Sequence, residues 1–383
     1  MKTQIDMTEL QDIPKNGYNV ISTFSGCGGS SLGYKLAGYD VKCALEFIPD
    51  VAKTYKLNFP NTPILQEDIR NISGKDFTEI TGIKPFELDV LDGSPPCCAF
   101  SIAGNREESW DRVIKYGTTK QRVDDLFFEY ARIIKDLMPK VFIAENVKGL
   151  TIGVCRPVLD EIIKTLSDIG YVVRYNVLNA KDYLVPQTRE RCIFIGVRKD
   201  LGMIPVYPKP ISKIISTKDA IEDLMNEDSD LPIGDLPLER LIKYFPPGVS
   251  DSDIRRICKK EGISVYRSFF CRDRWNLPAY TIVHGHGGRI AHPIKNRLMS
   301  VNEAKRIQTF PDDFILPLSP RENWERIARA VPPNLMKAIS KTVQTEILDK
   351  IPKDYKITEE EFNERYRNPK RKMDIQRGSH KLF

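Results

Sequence analysis

Short apolar runs alternate with helix-like stretches through the first 200 residues, and this alternation constrains the chain more than any other feature. The runs are residues 18–24, 41–45, 88–92, 141–144, 171–178 and 192–197, with Ile64-Leu65 as a shorter one. Strands apolar on both faces and separated by helices predict an α/β fold, a parallel sheet covered on both sides. The clearest helix spans about 123–138. There Leu126, Phe127, Tyr130, Ile133, Ile134 and Leu137 share one face, and Pro139 ends it.

Beyond residue 198 the texture changes. Prolines at 205, 208 and 210 stop the alternation, and the chain stays irregular to about 318, which predicts a second, smaller domain. A final amphipathic helix is expected over 335–348, after Pro332-Pro333. With 41% hydrophobic residues in 383, a sizeable core can form. No apolar run reaches the length of a membrane span, and the start lacks a signal-peptide core, so a cytoplasmic protein without membrane association is expected. Eight scattered cysteines fit reduced thiols, and none of the four histidines lies near a Cys pair at zinc spacing, so no metal is expected. The net charge of +6 arises within 365–383, where seven Lys/Arg face Asp374 alone. The rest is neutral on average, so charge by itself does not mark a nucleic-acid binder.

The first strand runs into Phe24-Ser25-Gly26-Cys27-Gly28-Gly29, a turn that lets a ligand reach backbone amides at a helix start. The nicotinamide-type G-x-G-x-x-G pattern fails, because Ser31 holds its third position. Glu46 closes the second strand where ribose hydroxyls would bind, and Asp68 follows Ile64-Leu65 as a further polar contact. This set points to a nucleoside cofactor without pyrophosphate, although the glycines alone also fit a plain tight turn.

After the strand at 88–92 comes Gly93-Ser94-Pro95-Pro96-Cys97-Cys98, with two prolines fixing the backbone at the sheet edge where ligands bind. A lone Cys is ordinarily a small core residue; this frame favours a presented thiol. Glu145 ends the next strand, within reach because strands lie about 4.8 Å apart. Gln187, Arg189 and Arg191 alternate onto one face, where two guanidiniums can hold an anion or an oxyanion, or simply form a charged strand edge.

In this order the pieces resemble the cytosine carbon-5 DNA methyltransferases of bacterial restriction-modification type, over about residues 17–198 and 278–345. Phe24-Ser25-Gly26-Cys27-Gly28-Gly29 is similar to the family's cofactor turn. Glu46-Phe47, Asp68-Ile69, Leu126 and Pro96 are similar to further cofactor contacts. Pro95-Pro96-Cys97 resembles the nucleophile motif, Glu145-Asn146-Val147 the acid motif, and Gln187-x-Arg189-x-Arg191 the arginine motif beside the target base. Ala330-Val331-Pro332-Pro333 resembles the last motif. Ala328-Arg329 stand there where Gly-Asn is usual, so Val331 alone is carried over as a cofactor contact. Cys98 stands where Gln is usual.

The resemblance implies a Rossmann-like sheet that binds S-adenosylmethionine, with a smaller, irregular target-recognition domain. Expected bounds are 1–197 for the catalytic domain, 198–320 for recognition, 321–349 for a helix returning to the catalytic domain, and 350–383 for a basic tail. It also implies that the thiolate of Cys97 adds to carbon 6 of a flipped-out cytosine. Glu145 would donate to ring nitrogen 3, and Arg189 and Arg191 would bind the carbonyl at carbon 2. Successive side chains of an extended segment point to opposite sides, so Cys97 and Cys98 cannot both face the base, and the family register selects Cys97. A mobile loop over 101–117 would close on the base. Double-stranded DNA is the expected partner, with a cognate restriction endonuclease as functional partner, and the chain is expected to act as a monomer. Two alternatives stay open: the same chemistry on transfer RNA, and a catalytically impaired DNA reader.

Overall fold

The apolar runs assemble into one seven-stranded sheet in the order β3-β2-β1-β4-β7-β9-β8. The strands are β1 (Asn19–Thr23), β2 (Asp40–Leu45), β3 (Ile64–Leu65), β4 (Val90–Gly93), β7 (Val141–Val147), β8 (Tyr171–Asn179) and β9 (Glu190–Arg198). A small antiparallel pair, β5 (Val113–Tyr116) and β6 (Thr119–Arg122), stands apart from it. The computed structural model describes residues 6–96, 113–116, 119–122, 125–231, 242, 245–260, 262, 271–283 and 290–367. Cys97, Cys98, most of the 101–117 segment and the chain beyond Arg367 lie outside them.

Alternation along the strands sorts the core onto two faces. Ile21, Leu91, Phe142, Ala144 and Phe194 face helices α3 (Gly74–Thr81), α4 (Leu126–Leu137) and α5 (Arg156–Ile169). Their neighbours Val20, Val90, Val141, Ile143, Ile193 and Ile195 face α1 (Gly29–Leu36) and the helix Pro333–Glu346. Both faces are therefore dry, which is why these strands read as continuous apolar runs. The helix at α4 starts three residues later than its pattern predicts and ends where Met138 turns left-handed (φ 45°) ahead of Pro139.

The sheet departs from the parallel pattern at one strand. β9 runs antiparallel to both β7 and β8. Only residues 180–189 join β8 to β9, too few for the crossover that a parallel strand needs.

Residues from Ala220 to Ala328 form a separate hydrophobic cluster that includes Ile221, Ile254, Ile282, Ile290, Met299, Ile307 and Trp324. The helix Pro320–Arg329 packs in this second cluster; just before it Phe310 and Phe314 already pack against Cys27, Leu32, Ala44 and Phe59 of the sheet unit, and from Val331 the chain lies on the sheet face. The basic tail expected over 350–383 needs a correction as far as Arg367. Phe362 is fully buried in the sheet core, its ring edge-on to Phe86 at 5.6 Å. Arg367 donates to the carbonyl of Ile169 at 2.8 Å. An aromatic anchor outweighs the tail's charge here, because Phe362 buries its whole ring while the charged neighbours stay at the surface.

Candidate active site

The strand order reverses between β1 and β4: β2 and β3 lie to one side, β7, β9 and β8 to the other. Crevices at such a reversal, beyond the carboxyl ends of the strands, are where α/β sheets bind ligands. The glycine turn after β1, Glu46 after β2, Pro95-Pro96 after β4 and Glu145 near the end of β7 lie at this edge.

From β1 the chain makes a turn with three left-handed positions in five residues: Phe24 (φ 52°), Gly26 (φ 57°) and Gly28 (φ 103°). Gly28 caps α1, and a Cβ there would meet the Phe59 ring at 2.3 Å. A Cβ on Gly29 would lie 2.4 Å from the carbonyl oxygen of Val331, so the last motif is seated directly on the turn. Glu46, just past β2, accepts from the amide of Gly26 with one oxygen and from Ile48 with the other, both at 2.9 Å. Burial pushes its carboxyl upward, opposed by these two amides and by the charge of Arg326.

The proposed contacts divide by exposure. Phe24, Phe47, Asp68 and Pro96 are half-buried and follow the carboxyl ends of β1, β2, β3 and β4. Ser25 and Cys27 are buried: the Ser25 hydroxyl donates to Ser22, and the Cys27 thiol lies 3.8 Å from the carbonyl of Arg326. Burial lifts that thiol to about 12, so it stays protonated and inert. Only the backbone of these two residues can serve a ligand. Ile69 and Leu126 are core residues, 2% and 0% exposed, and their side chains do not reach the crevice. Asp68 turns to Arg70, which also pairs with Asp125.

On the other side of β4, Glu145 and Arg191 meet. Their strands are neighbours, and Nε of Arg191 lies 2.8 Å from Oε1 of Glu145. Burial works against the charge of Arg191 and Glu145 supports it. Asn146 donates from Nδ2 to the carbonyl of Pro95 at 3.3 Å, so the acid strand grips the turn leading to Cys97. Cys97 itself lies outside the described residues.

Arg189 does not join this pair. Its guanidinium is 1% exposed and donates to the carbonyls of Ile282, Ala328 and Ala330 at 3.2, 2.8 and 3.2 Å. Gln187 behaves alike: its amide donates to Gln308 and accepts from the amide of Ile282. Alternation does put all three side chains on one face, but two of them lock the second cluster and the last motif onto β9. Arg191 alone reaches Glu145.

Two residues that matter here, Asp92 and Arg326, were not singled out by sequence reasoning, and Asn146 was read only as part of the acid motif, without its own contact. Asp92, at the end of β4, accepts from the hydroxyls of Ser22 and Ser30 at 2.9 Å each. Asn146 holds the Pro95 turn, and Arg326 sets its charge against Glu46. Asp92 carried a signal, since it interrupts an apolar strand; Arg326 looked like any helix-surface cation. Arg329, which replaces the usual Asn, is exposed at the end of its helix.

The family model for C-5 cytosine-specific DNA methylase matches residues 18–345. The chain belongs to that family. It is 36% identical over 367 residues to the Type II methyltransferase M.PspPI of Psychrobacter sp., covering 90% of this chain and 83% of that one. It is 34% identical to M.Eco47II of Escherichia coli, covering 89% and 82%. Among solved structures, a protein assigned as a prophage-encoded DNA modification methyltransferase of E. coli superposes with a TM-score of 0.66. That structure shares 25% identity, with 87% of this chain and all of that one covered. The methylase is thus an enzyme of cytosine C-5 methylation with an α/β fold, and its family uses S-adenosylmethionine. Among the described residues no helix is long and apolar enough to cross a membrane.

Proposed function

We propose that this methylase adds a methyl group to carbon 5 of a flipped-out cytosine in one duplex DNA sequence, with Cys97 as covalent nucleophile. The observation that carries this is the Glu145–Arg191 pair at the end of β7, bound through Asn146 to the turn before Cys97. Carbon 5 of cytosine is a poor nucleophile until a thiolate adds at carbon 6 and the ring takes up charge. Arg191 fixes Oε1 of Glu145, so the carboxyl meets ring nitrogen 3 in one orientation and stabilises the charge as it develops. Arg189 acts as a positioning residue in this scheme.

The turn fits S-adenosylmethionine: the backbone of Ser25, Gly26, Cys27, Gly28 and Gly29 can approach it closely, and Glu46 stands where ribose hydroxyls would bind. Half-buried Phe24, Phe47, Asp68 and Pro96 would complete the crevice, and Val331, buried in the core, would take part only through the backbone that seats on Gly29. The cofactor supplies an electrophilic methyl on a sulfonium. Glu46 orients the turn through the Gly26 amide.

We place DNA reading in residues 198–329, on the second cluster to which the helix Pro320–Arg329 belongs, with 1–197 and the chain from Val331 to Arg367 as the catalytic body. We read the protein as a cytoplasmic monomer. The Type II names of its relatives support a restriction endonuclease as its functional counterpart. Transfer of labelled methyl to duplex DNA from a methylation-free host, with transfer RNA in parallel, tests the proposal. Label in DNA alone is expected; label in transfer RNA alone would overturn it.

A further inference from the structure

Asp92 sits where an apolar residue would suit the fold. It pairs directly with Ser22 of β1 and Ile143 of β7, and its face of the sheet is otherwise Val20, Val90, Val141 and Ile143. The carboxyl is 3% exposed. Burying a charge in such surroundings is unfavourable, and an apolar side chain of similar size would stabilise the sheet better. Its surroundings accept the charge only because three hydroxyls converge on it. Ser22 donates to Oδ2 at 2.9 Å, Ser30 to Oδ1 at 2.9 Å, and Tyr34 to Oδ1 at 3.4 Å. Burial nevertheless raises the carboxyl to about 7, with Glu145 adding to the rise.

The three donors define what the carboxyl joins. Ser22 lies two residues before Phe24, Ser30 opens the first turn of α1 behind the glycine turn, and Asp92 lies two residues before Ser94. Two further bonds cross the same joint: Thr23 Oγ1 donates to the carbonyl of Asp92 at 2.9 Å, and Ser94 Oγ to the carbonyl of Phe24 at 3.2 Å. The joint therefore ties the turn that would take the methyl donor to the Ser94–Pro96 turn whose next residue is Cys97. Methyl transfer needs both partners in one geometry, and a displacement of about 1 Å can cost a hundredfold in rate.

We propose that Asp92 is a positioning residue for methyl transfer, a buried carboxylate that fixes the cofactor turn and the nucleophile turn in a single register. The proposal rests on the cofactor and nucleophile assignments above. A carboxylate does this better than an amide, because every donor at the site is a hydroxyl and charge-assisted bonds are shorter and stronger.

Asp92→Asn keeps the shape and removes the charge, and Ser30→Ala removes one donor; both are compared with the parent full-length chain. Calorimetry reads S-adenosylmethionine affinity, steady-state methylation of DNA from a methylation-free host reads kcat and KM, and thermal unfolding reads stability. For Asp92→Asn, kcat should fall about tenfold, the size of one hydrogen bond to a charged group. Cofactor Kd should rise severalfold, with DNA affinity unchanged and a melting temperature no lower than the parent's. Ser30→Ala should shift kcat and cofactor Kd the same way, and the double variant should do no worse than Asp92→Asn alone. Parent-like kinetics and affinity in both variants would overturn the proposal, as would a loss of turnover that merely tracks the unfolded fraction. If the parent itself transferred no methyl to DNA, the enzymatic assignment would fail separately, and the cofactor affinities would still decide the role of Asp92.

Discussion

Around the sheet, backbone carbonyls and amides pair along strand ladders, whereas in the 220–328 unit they pair within short helices and turns and, between these, with a few buried side chains. The strands described in that unit, β10 (Cys271–Arg272) and β11 (Ile290–Ala291), are two residues each. In place of a ladder, the buried guanidinium of Arg272 donates to the carbonyls of Ile242, Phe245, Pro293, Ile294 and Lys295. Next to it, Oδ1 of Asp273 accepts from the amides of Arg274 and Tyr280. The contrast teaches where each unit is fragile. A ladder spreads its bonds over many residues; the second unit concentrates them in a few charged side chains, because irregular backbone must still satisfy its buried polar groups.

Removing Arg272 should break the second unit and spare the first. Arg272→Met leaves several buried carbonyls without donors, at about 1–3 kcal/mol each, so a loss of at least about 3 kcal/mol is expected in that unit. Limited proteolysis should open the chain between 198 and 320 and specific DNA binding should vanish, while calorimetry still detects S-adenosylmethionine binding. Equal loss of cofactor binding would mean that the two units do not stand apart.

That contrast also explains what could be read from the sequence. β1, β4 and β7 were legible because dry parallel strands have no polar alternation, and Met138-Pro139 fixed the end of α4. The antiparallel direction of β9 was not legible, since an apolar run carries no sign of its direction. In the second unit the organising residue is an arginine, and a buried Arg272 looks in sequence like a solvated one. The same blindness applied to Arg189, whose spacing with Arg191 put both on one face but could not say that its guanidinium turns to three carbonyls. Phe362 was hidden by the basic residues that follow it.

The sheet unit should weaken, without any change of target, when its C-terminal anchor is cut. Phe362→Ala removes a fully buried ring, for which about 3–4 kcal/mol is expected. Denaturant melts should show that loss, and bisulfite sequencing should find the same methylated sites as for the parent. A changed site would place the anchor within DNA reading and blur the comparison.

A smaller effect separates the units by pH. Burial raises the carboxyl of Asp273 to about 7, against an ordinary value of 3.8. Between pH 7 and pH 4 the folded protein therefore takes up a proton that the unfolded chain does not, and this residue adds stability as pH falls. Asp273→Asn removes the cost of the buried charge, so its gain should be greatest above pH 7, about 1–2 kcal/mol, and fade toward pH 4. Thermal melts across that range check it; a gain independent of pH would show that the carboxyl is not ionised at the upper end.

In the proposed mechanism the sheet unit attacks cytosine through the thiol that follows Pro95-Pro96. Duplex DNA carrying 5-fluorocytosine at the target, located by bisulfite sequencing after expression in a methylation-free host, tests it directly, because fluorine cannot leave as the carbon 5 proton does. A covalent adduct should form in the presence of S-adenosylmethionine and map by peptide mass to Cys97. It should disappear in Cys97→Ser and persist in Cys98→Ser. An adduct on Cys98, or methylation that proceeds in Cys97→Ser, would contradict the account.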